Sequence, residues 1–276
     1  MRILKYTGVF YTFLLCPLFL QADVVKVPGI LEPLYDADVS ASVAGIIEMI
    51  HYREGQSVEE DAVVIQLENT LEQLEVERRK VVFESKAELE AAVARMETVQ
   101  VDLESTQVLF ETTGSISQEE LNTKILEYKL AVAEKERKES EEIREEIELQ
   151  IPQFQLQQRA IKAPFSGKIA DVYLDEGESC SAGEALFRLV DLSKCHFVCN
   201  VEASLAVHLK KAQIVDLEVV SGYDFVPRQG EIEFIAPTID PSSGLRKVKV
   251  LIDNADFSLT PGVTGELHIQ MGPIEP

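Results

Sequence analysis

Two cysteines and a histidine lie close together in the second half of the chain, and they are the side chains best suited to chemistry. Cys195 and Cys199 flank His196, and thiolate and imidazole groups are the usual ligands of zinc and haem iron. Covalent haem attachment needs the order C-x-x-C-H, which the sequence lacks. A zinc site would need further ligands, and the other histidines are scattered: His51, His208 and His268. Burial of small side chains on a strand is therefore favoured, while metal binding through Cys195, Cys199 and histidine stays open as an alternative hypothesis.

No arrangement of residues in the sequence predicts catalysis. Neither a Ser/His/Asp set, nor a Cys/His pair, nor a phosphate-binding glycine loop stands out. The net charge of −22, from 26 basic and 48 acidic residues, disfavours nucleic acid as a partner. We therefore expect no enzymatic activity, and the sequence predicts no catalytic residue, no cofactor and no metal site.

A duplicated stretch is the main element of the fold. Residues 41–67 reappear without gaps as residues 163–189. Both copies have an opening glycine and, at the same distance, a Glu-Gly pair suited to a turn: Gly45 and Gly167, then Glu54–Gly55 and Glu176–Gly177. Each copy is too small to bury a core alone. We therefore expect residues 38–70 and 159–193 to press face to face as the two halves of one domain.

The stretch between the two copies, residues 71–158, is predicted to form a pair of long helices. From Leu71 to about Glu111 neither glycine nor proline occurs. Apolar residues recur there at steps of three and four, with one extra step that Ser85 fills. The residues expected to face the partner helix are Leu74, Val81, Leu89, Ala92, Met96, Val99, Leu103 and Phe110. Each arm has roughly 40 residues, which at ~1.5 Å per residue predicts a rod of about 60 Å.

The second arm repeats the apolar pattern less regularly. Its expected seam residues are Leu121, Ile125, Tyr128 and Val132, continued through a mostly charged run by Ile143 and Ile147. Pro152 is expected to end or kink this helix. Between the arms, residues 112–115 break the helix, and Ser117 can cap the next helix because Glu120 follows three residues later, as in a capping box.

Short alternating strands after the second copy indicate a small barrel. The predicted strands are residues 197–201, 215–220, 230–235, 247–252 and 265–269. A short helix is expected over residues 203–211. Alternation in residues 24–27, followed by Pro28–Gly29, predicts one further strand of this domain before the first copy. The barrel domain is therefore expected to combine two segments and to leave a short tail: residues 23–37, 194–271 and 272–276.

The N-terminus has the pattern of an export signal. Two basic residues precede an apolar stretch from Val9 to Leu20, which is shorter than the ~20 residues that a spanning helix needs. Cleavage after Ala22 is favoured over retention as an anchor, so residues 1–22 are predicted to be a signal peptide. An oxidising compartment would permit a disulfide without requiring one among Cys180, Cys195 and Cys199.

Two strand-rich half-motifs separated by a long helical hairpin resemble the periplasmic adaptors of the HlyD type, also called membrane fusion proteins, and in particular the adaptor subunits of resistance-nodulation-division (RND) efflux transporters. Adaptors that dock on an outer-membrane channel of the TolC type carry an R-x-x-x-L-x6-S-x4-D/N pattern across the hairpin turn. This sequence matches it at Ser and Asn, replaces Leu with Phe, and has Thr in place of Arg. The resemblance therefore implies a partner-docking tip formed by Thr106, Phe110, Gly114, Ile116, Ser117 and Asn122.

The resemblance implies a fold of mixed α and β class and elongated shape. It consists of a lipoyl-like barrel-sandwich hybrid with an inserted antiparallel α-helical coiled-coil hairpin, plus a small β-barrel domain. Many adaptors of RND pumps have a further membrane-proximal β-domain, which this chain is expected largely to lack.

The function implied is that of a non-catalytic periplasmic adaptor in a tripartite efflux system. Such an adaptor links an inner-membrane transporter, of RND or ABC type, to the outer-membrane channel and forms a ring with further copies of itself. Two alternatives remain: a metal-efflux adaptor that binds metal through cysteine and histidine, and a structural coiled-coil protein of the envelope.

The paired halves also resemble lipoyl and biotinyl carrier domains. In those carriers a lysine on the turn between the halves bears the cofactor. Here the helical hairpin replaces that turn, and Lys162 stands at the start of a strand beside Ala163. No covalently bound cofactor is therefore expected.

Overall fold

The computed structural model describes residues 24–222 and 224–270. Two compact units can be distinguished, one formed by residues 35–191 and the other by the described residues before 35 and after 191. Two long strands, β1 (Val24–Ser40) and β8 (Ala185–Glu202), have residues in both units. The predicted signal peptide and the predicted C-terminal tail lie outside the described residues.

The unit of residues 35–191 contains a sandwich of short strands. The strands are β2 (Gly45–Ile50), β3 (Ser57–Val58), β4 (Val63–Leu67), β5 (Ala160–Lys162), β6 (Gly167–Val172) and β7 (Ser179–Cys180), together with the adjoining ends of β1 and β8. Strands of the two sequence copies pair with each other, because β2 pairs with β7 and β3 with β6, and β4 of the first copy pairs with β5, which directly precedes the second copy. The expectation that the two copies are halves of one domain is therefore confirmed, and the strand pairing adds that the two copies interleave.

The two copies occupy equivalent positions in this sandwich. Buried residues come in pairs at equal spacing in the two copies: Ala41 and Ala163, Ile47 and Ile169, Val58 and Cys180, Val64 and Leu186, Ile65 and Phe187, Leu67 and Leu189. Backbone hydrogen bonds follow the same rule. The Gly55 amide donates to the Ile169 carbonyl at 2.8 Å, as the Gly177 amide does to the Ile47 carbonyl. The sequence repeat is thus a structural repeat around one shared core.

Three helices form the hairpin: α1 (Thr70–Glu84), α2 (Ala87–Thr113) and α3 (Gln118–Gln158). The first arm, expected as one helix, is interrupted at Ser85 and Lys86, where the apolar spacing has its extra step. Pro152 does not end the second arm, because α3 continues to Gln158 with Pro152 buried inside it. Proline lacks a backbone N–H, so the helix loses one hydrogen bond at this position. The ring of Pro152 is buried.

The helix seam agrees with the sequence prediction in the tip half and differs from it near the base. Ala92, Leu103 and Leu121 are buried. Four predicted seam residues are instead exposed: Leu74 by 58%, Val81 by 65%, Ile143 by 60% and Ile147 by 54%. On α1 the partner-facing positions are held by half-buried residues at steps of four and three, namely Glu72, Val76, Arg79 and Phe83. The prediction chose the wrong face of α1 because two of these positions are charged.

The second unit is a six-stranded barrel. The strands β9 (Ile214–Ser221), β10 (Asp224–Ile235), β11 (Leu245–Asp253) and β12 (Thr264–Gln270) join parts of β1 and β8. Their order is β1-β12-β9-β10-β11-β8, and a further pairing of β1 with β8 closes the barrel. Phe197 fills the interior with no exposed surface. A Cβ on Gly29 would lie 2.5 Å from the Phe197 ring, so glycine is required there.

Two predictions for this unit need correction. Strand β1 does not end at Pro28–Gly29 but continues to Ser40, with Pro28 opposite Glu266 of β12 and with Gly29 leaving room for Phe197. The helix expected over residues 203–211 is the short α4 (Ala203–Ala206), followed by turns. Within residues 24–222 and 224–270, no helix combines the length and the apolar character that crossing a bilayer requires.

Candidate docking tip of the hairpin

The turn between α2 and α3 depends on two residues with special backbone roles. Gly114 follows the end of α2 with a φ of 62°, the left-handed conformation that glycine adopts without a Cβ clash. Ser117 has an extended backbone, and its Oγ accepts a hydrogen bond from the Glu120 amide at 3.2 Å. This bond satisfies one of the amides that the first turn of a helix leaves unpaired. The predicted capping role of Ser117 is confirmed.

Hydroxyl groups on the last turns of α2 are bonded within the helix itself. Thr106, Thr112 and Thr113 donate to backbone carbonyls four residues earlier, at 2.8, 2.6 and 2.7 Å. The Thr113 hydroxyl also lies 2.6 Å from the Ser115 hydroxyl. The hydroxyl groups of these three threonines are therefore bonded to the backbone of α2 itself.

The six predicted tip residues lie in the turn or within about two helical turns of it. Gly114, Ser117 and Asn122 are exposed, whereas Thr106, Phe110 and Ile116 are half-buried. Thr106 and Phe110 are four residues apart and share one face of α2. Asn122 accepts a hydrogen bond from the Gln118 side chain at 3.1 Å on the first turns of α3. The tip thus offers polar groups to solvent above a partly covered apolar base.

The tip half of the hairpin is strongly acidic. Residues 97–127 contain one basic residue, Lys124, against seven acidic ones: Glu97, Asp102, Glu104, Glu111, Glu119, Glu120 and Glu127. Lys124 bonds Glu127 at 3.0 Å and, across the two helices, Asp102 at 3.2 Å. These carboxylates, Glu127 first, raise the pKa of Lys124. The sequence reading missed this cross-helix pair, although opposite charges at similar distances from the turn were a signal for it.

Two apolar stripes face outward near the base of the hairpin. The α1 stripe consists of Leu71, Leu74, Val81 and Val82, and the α3 stripe consists of Ile143, Ile147, Ile151 and Phe154. The exposed fractions of these side chains range from 42 to 79%. Their spacing places each set along one face of its helix, away from the seam. The sequence reading missed both stripes because it assigned several of their members to the seam.

The structure separates the cysteines and histidine that the sequence analysis singled out for metal binding. Cys195 and Cys199 are buried in the barrel core, as the sequence predicted, and four residues of strand separate them by about 13 Å. Burial raises the pKa of the Cys199 thiol to about 12. The Nε2 atom of His196 lies 2.6 Å from Oε2 of Glu233.

Lys162, which the comparison with lipoyl and biotinyl carriers had brought into question, lies within β5 opposite Val63.

Two curated proteins and one solved structure illustrate what the chain is similar to. Membrane fusion protein MtrC of Neisseria gonorrhoeae is 30% identical over 252 residues, which are 87% of this chain. An uncharacterised protein of Haemophilus influenzae is 24% identical over 251 residues, or 90% of this chain. The chain spans 58% of the length of each of these relatives. The crystal structure of MacA from Actinobacillus actinomycetemcomitans has the same fold, with a TM-score of 0.74, 21% identity and coverage of 91% of this chain and 79% of that one.

The match to a family model covers the sandwich and the hairpin together. The model describes the barrel-sandwich hybrid domain of RND membrane fusion proteins, and it matches residues 35–192. These limits agree within one residue with those of the compact unit of residues 35–191. Since the match covers more than half of the chain, the protein belongs to the family of RND membrane fusion proteins, which are periplasmic adaptor proteins.

Proposed function

We propose that the protein is a non-catalytic periplasmic adaptor of a tripartite efflux system and links an inner-membrane transporter, of RND or ABC type, to an outer-membrane channel of the TolC type. The observation that carries this proposal is the exposed hairpin tip, which presents Ser117 and Asn122 at the spacing typical of docking adaptors. Strands β4 and β5 pair at the base of the hairpin. The sandwich therefore anchors both ends of the helices and leaves the turn to make contacts.

Docking in this proposal depends on apolar area and neutral hydrogen bonds. Phe110 and Ile116 supply apolar surface, while Ser117 and Asn122 supply polar groups. Thr106 stands where docking adaptors of this type carry arginine, so the charge-assisted bond of an arginine is absent. With its surplus of acidic groups, this tip fits a channel surface that is neutral or basic.

Export measured in cells that produce the adaptor with its transporter and channel tests the docking role. Asn122→Ala is expected to reduce export strongly, because it removes an exposed polar group without touching the seam. Ser117→Asp separates capping from docking, since aspartate caps helices as well as serine does but lacks the hydroxyl donor that serine can offer to a partner. We expect Ser117→Asp to keep helix content by circular dichroism and to lose export.

The matched control is Ser140→Ala, which changes an exposed serine of the same helix far from the turn. This variant is expected to export normally. If Asn122→Ala, Ser117→Asp and Phe110→Ala all export like the unaltered protein, the tip does not dock and a structural coiled-coil role would be favoured.

The two outward stripes support the assembly of several copies into a ring. They lie on different helices and face away from the seam, so the α1 stripe of one copy can pack on the α3 stripe of the next. Contacts between two different patches propagate head to tail and form rings where the rotation closes. Packing the two stripes together would remove apolar area from water, and each Å² removed would stabilise the assembly by ~25 cal/mol.

Sedimentation of the purified chain, alone and with its transporter, tests this assembly. Ile147→Asp and Leu74→Asp should each shift the protein toward monomer, because each places a charge in the proposed interface. Leu126→Asp is the control, since Leu126 is 57% exposed on the same helix as Ile147 but lies outside the stripe. Equal assembly of all three variants would contradict a ring built on these stripes.

A further inference from the structure

Two glutamates lie directly opposite each other on the outer surface of the barrel. Glu218 of β9 and Glu266 of β12 are cross-strand partners, and the adjacent Leu217 and Leu267 point into the core. Like charges in such a pair destabilise a sheet. Lys26 of β1 offsets this repulsion, because its Nζ lies 2.9 Å from Glu218 Oε2 and 3.0 Å from Glu266 Oε2. The two carboxylates therefore form a position for a cation, which a lysine of the same chain occupies.

His268 adds a third potential ligand to this position. It lies two residues after Glu266 on β12 and opposite Lys26 in the strand register. Its Nε2 atom is buried and has no hydrogen-bond partner, although Glu218 Oε2 lies 3.4 Å away. A buried nitrogen without a partner costs free energy. Ligand atoms of Glu218, Glu266 and His268 all lie within 4.8 Å of one another.

We propose that Glu218, Glu266 and His268 form a binding site for a divalent transition metal of the zinc class, with Lys26 as its internal competitor. Zinc binds imidazole nitrogen and carboxylate oxygen together, whereas calcium and magnesium prefer oxygen alone. A dication in place of the Lys26 ammonium keeps both carboxylates neutralised and also engages the imidazole nitrogen that the ammonium leaves unpaired.

The surroundings permit this exchange. The side chain of Lys26 is 50% exposed, so its ammonium can move into water when a metal enters. Ligands on a tetrahedral zinc ion lie about 3.4 Å apart, which the flexible glutamate side chains can reach. Asp216 stands opposite His268 in the strand register and lines the same shallow cavity. It accepts a hydrogen bond from Gln229 at 2.9 Å and adds a further carboxylate beside the three proposed ligands.

The site differs from a thiolate site. Its ligands come from two adjacent strands, and their spacing in sequence carries no metal motif, so only the register of β9 and β12 brings them together. The sequence reading had set His268 aside as scattered.

Calorimetric titration of the full-length protein with Zn²⁺ is the test. Lys26→Met removes the competitor and is expected to bind one Zn²⁺ at least tenfold more tightly than the unaltered protein. Adding His268→Ala to that variant should weaken binding at least tenfold. The matched control adds His196→Ala to the Lys26→Met variant, because it removes another barrel histidine that faces a glutamate. This change should leave the affinity for Zn²⁺ as it is in Lys26→Met.

A second measurement guards against misfolding of Lys26→Met, which leaves two glutamates facing each other. In the unaltered protein, Zn²⁺ should shift the imidazole NMR signals of His268 and leave those of His51 and His196 in place, and bound Co²⁺ should give the ligand-field absorption of a tetrahedral site. Equal affinities of the unaltered and Lys26→Met proteins, or an unchanged His268 signal, would overturn the proposal.

Discussion

The sandwich and the hairpin belong to one compact unit, yet they treat their apolar side chains in opposite ways. The sandwich buries fourteen residues in a single core that both sequence copies share. The helices of the hairpin are 15, 27 and 41 residues long and bury only six: Ala92, Leu103, Leu121, Ala131, Leu149 and Pro152. The sandwich is therefore held together by a packed core, whereas the hairpin leaves most of its apolar side chains partly or largely exposed.

Charged pairs replace apolar packing along much of the hairpin. Arg159 bonds Glu72 at 2.7 Å at the base, and Lys86 bonds Glu142 at 2.8 Å beside the break in the first arm. Arg79 also pairs with Glu148 across the two helices. Partly exposed ion pairs contribute little to stability and weaken in salt. The hairpin is therefore expected to open locally more easily than the sandwich.

The largest effect should come from the centre of the sandwich. Phe187→Ala is expected to lower the free energy of unfolding by ~3–5 kcal/mol, because it leaves a cavity in a core without exposed surface. Its counterpart in the first copy, Ile65→Ala, should cost ~2–5 kcal/mol. Urea unfolding followed by near-ultraviolet circular dichroism measures both. A loss below about 1 kcal/mol for Phe187→Ala would contradict a shared core.

A pair of variants in α3 should give a smaller effect and distinguish seam from stripe. Leu149 is 8% exposed and Ile147 is 54% exposed. Leu149→Ala is expected to cost ~2 kcal/mol, whereas Ile147→Ala should stay within about 0.5 kcal/mol. Urea unfolding followed by far-ultraviolet circular dichroism tests this order, and the reverse order would mean that the assignment of helix faces is wrong.

Replacing a glycine of positive φ should cost the same free energy of unfolding in the sandwich and in the hairpin, although the two regions differ in packing. Gly183 in the sandwich and Gly114 in the hairpin have φ angles of 85° and 62°, and a Cβ on either would meet no atom within 4 Å. Gly183→Ala and Gly114→Ala are each expected to cost ~1 kcal/mol, because an L-residue is strained there. Thermal unfolding of both variants checks this, and a much larger loss at Gly183 would indicate hidden packing at that turn.

The smallest effect is the pH response of an exposed helix pair. Arg78, with help from Arg79, lowers the pKa of Glu75 from 4.5 to about 2. Because the pKa is lower in the folded state, the stabilisation is present above pH 4.5 and is lost as the pH falls through about 2. NMR titration of the Glu75 carboxyl should show this midpoint, and Arg78→Gln should return it toward 4.5. A midpoint near 4.5 in the unaltered protein would show that the pair does not persist in solution.

Local rules explain which features the sequence predicted well. The Ser117 cap and the Gly114 turn depend on neighbouring residues only, so a single sequence reveals them. The shared core was predictable because residues 41–67 and 163–189 repeat one pattern of apolar and glycine positions.

Features that depend on tertiary context were missed. Near the base of the hairpin, Glu72 and Arg79 occupy positions that face the partner helix. Because both are charged, a search for regularly spaced apolar residues does not find these positions. Strand β1 continues past Pro28 and Gly29 because it pairs with β12 through both residues, and that pairing is a long-range contact. The cluster around His268 exists only through the register of β9 and β12, which the sequence alone does not specify.

The most direct test of the account is to ask what the hairpin tip touches in living cells. A photo-reactive amino acid would replace Asn122 or, as a control, Glu136, which is exposed on the same helix far from the turn. The account predicts that position 122 crosslinks to an outer-membrane channel while position 136 does not. Crosslinks from position 122 only to other copies of this chain, or none at all while export continues, would contradict it.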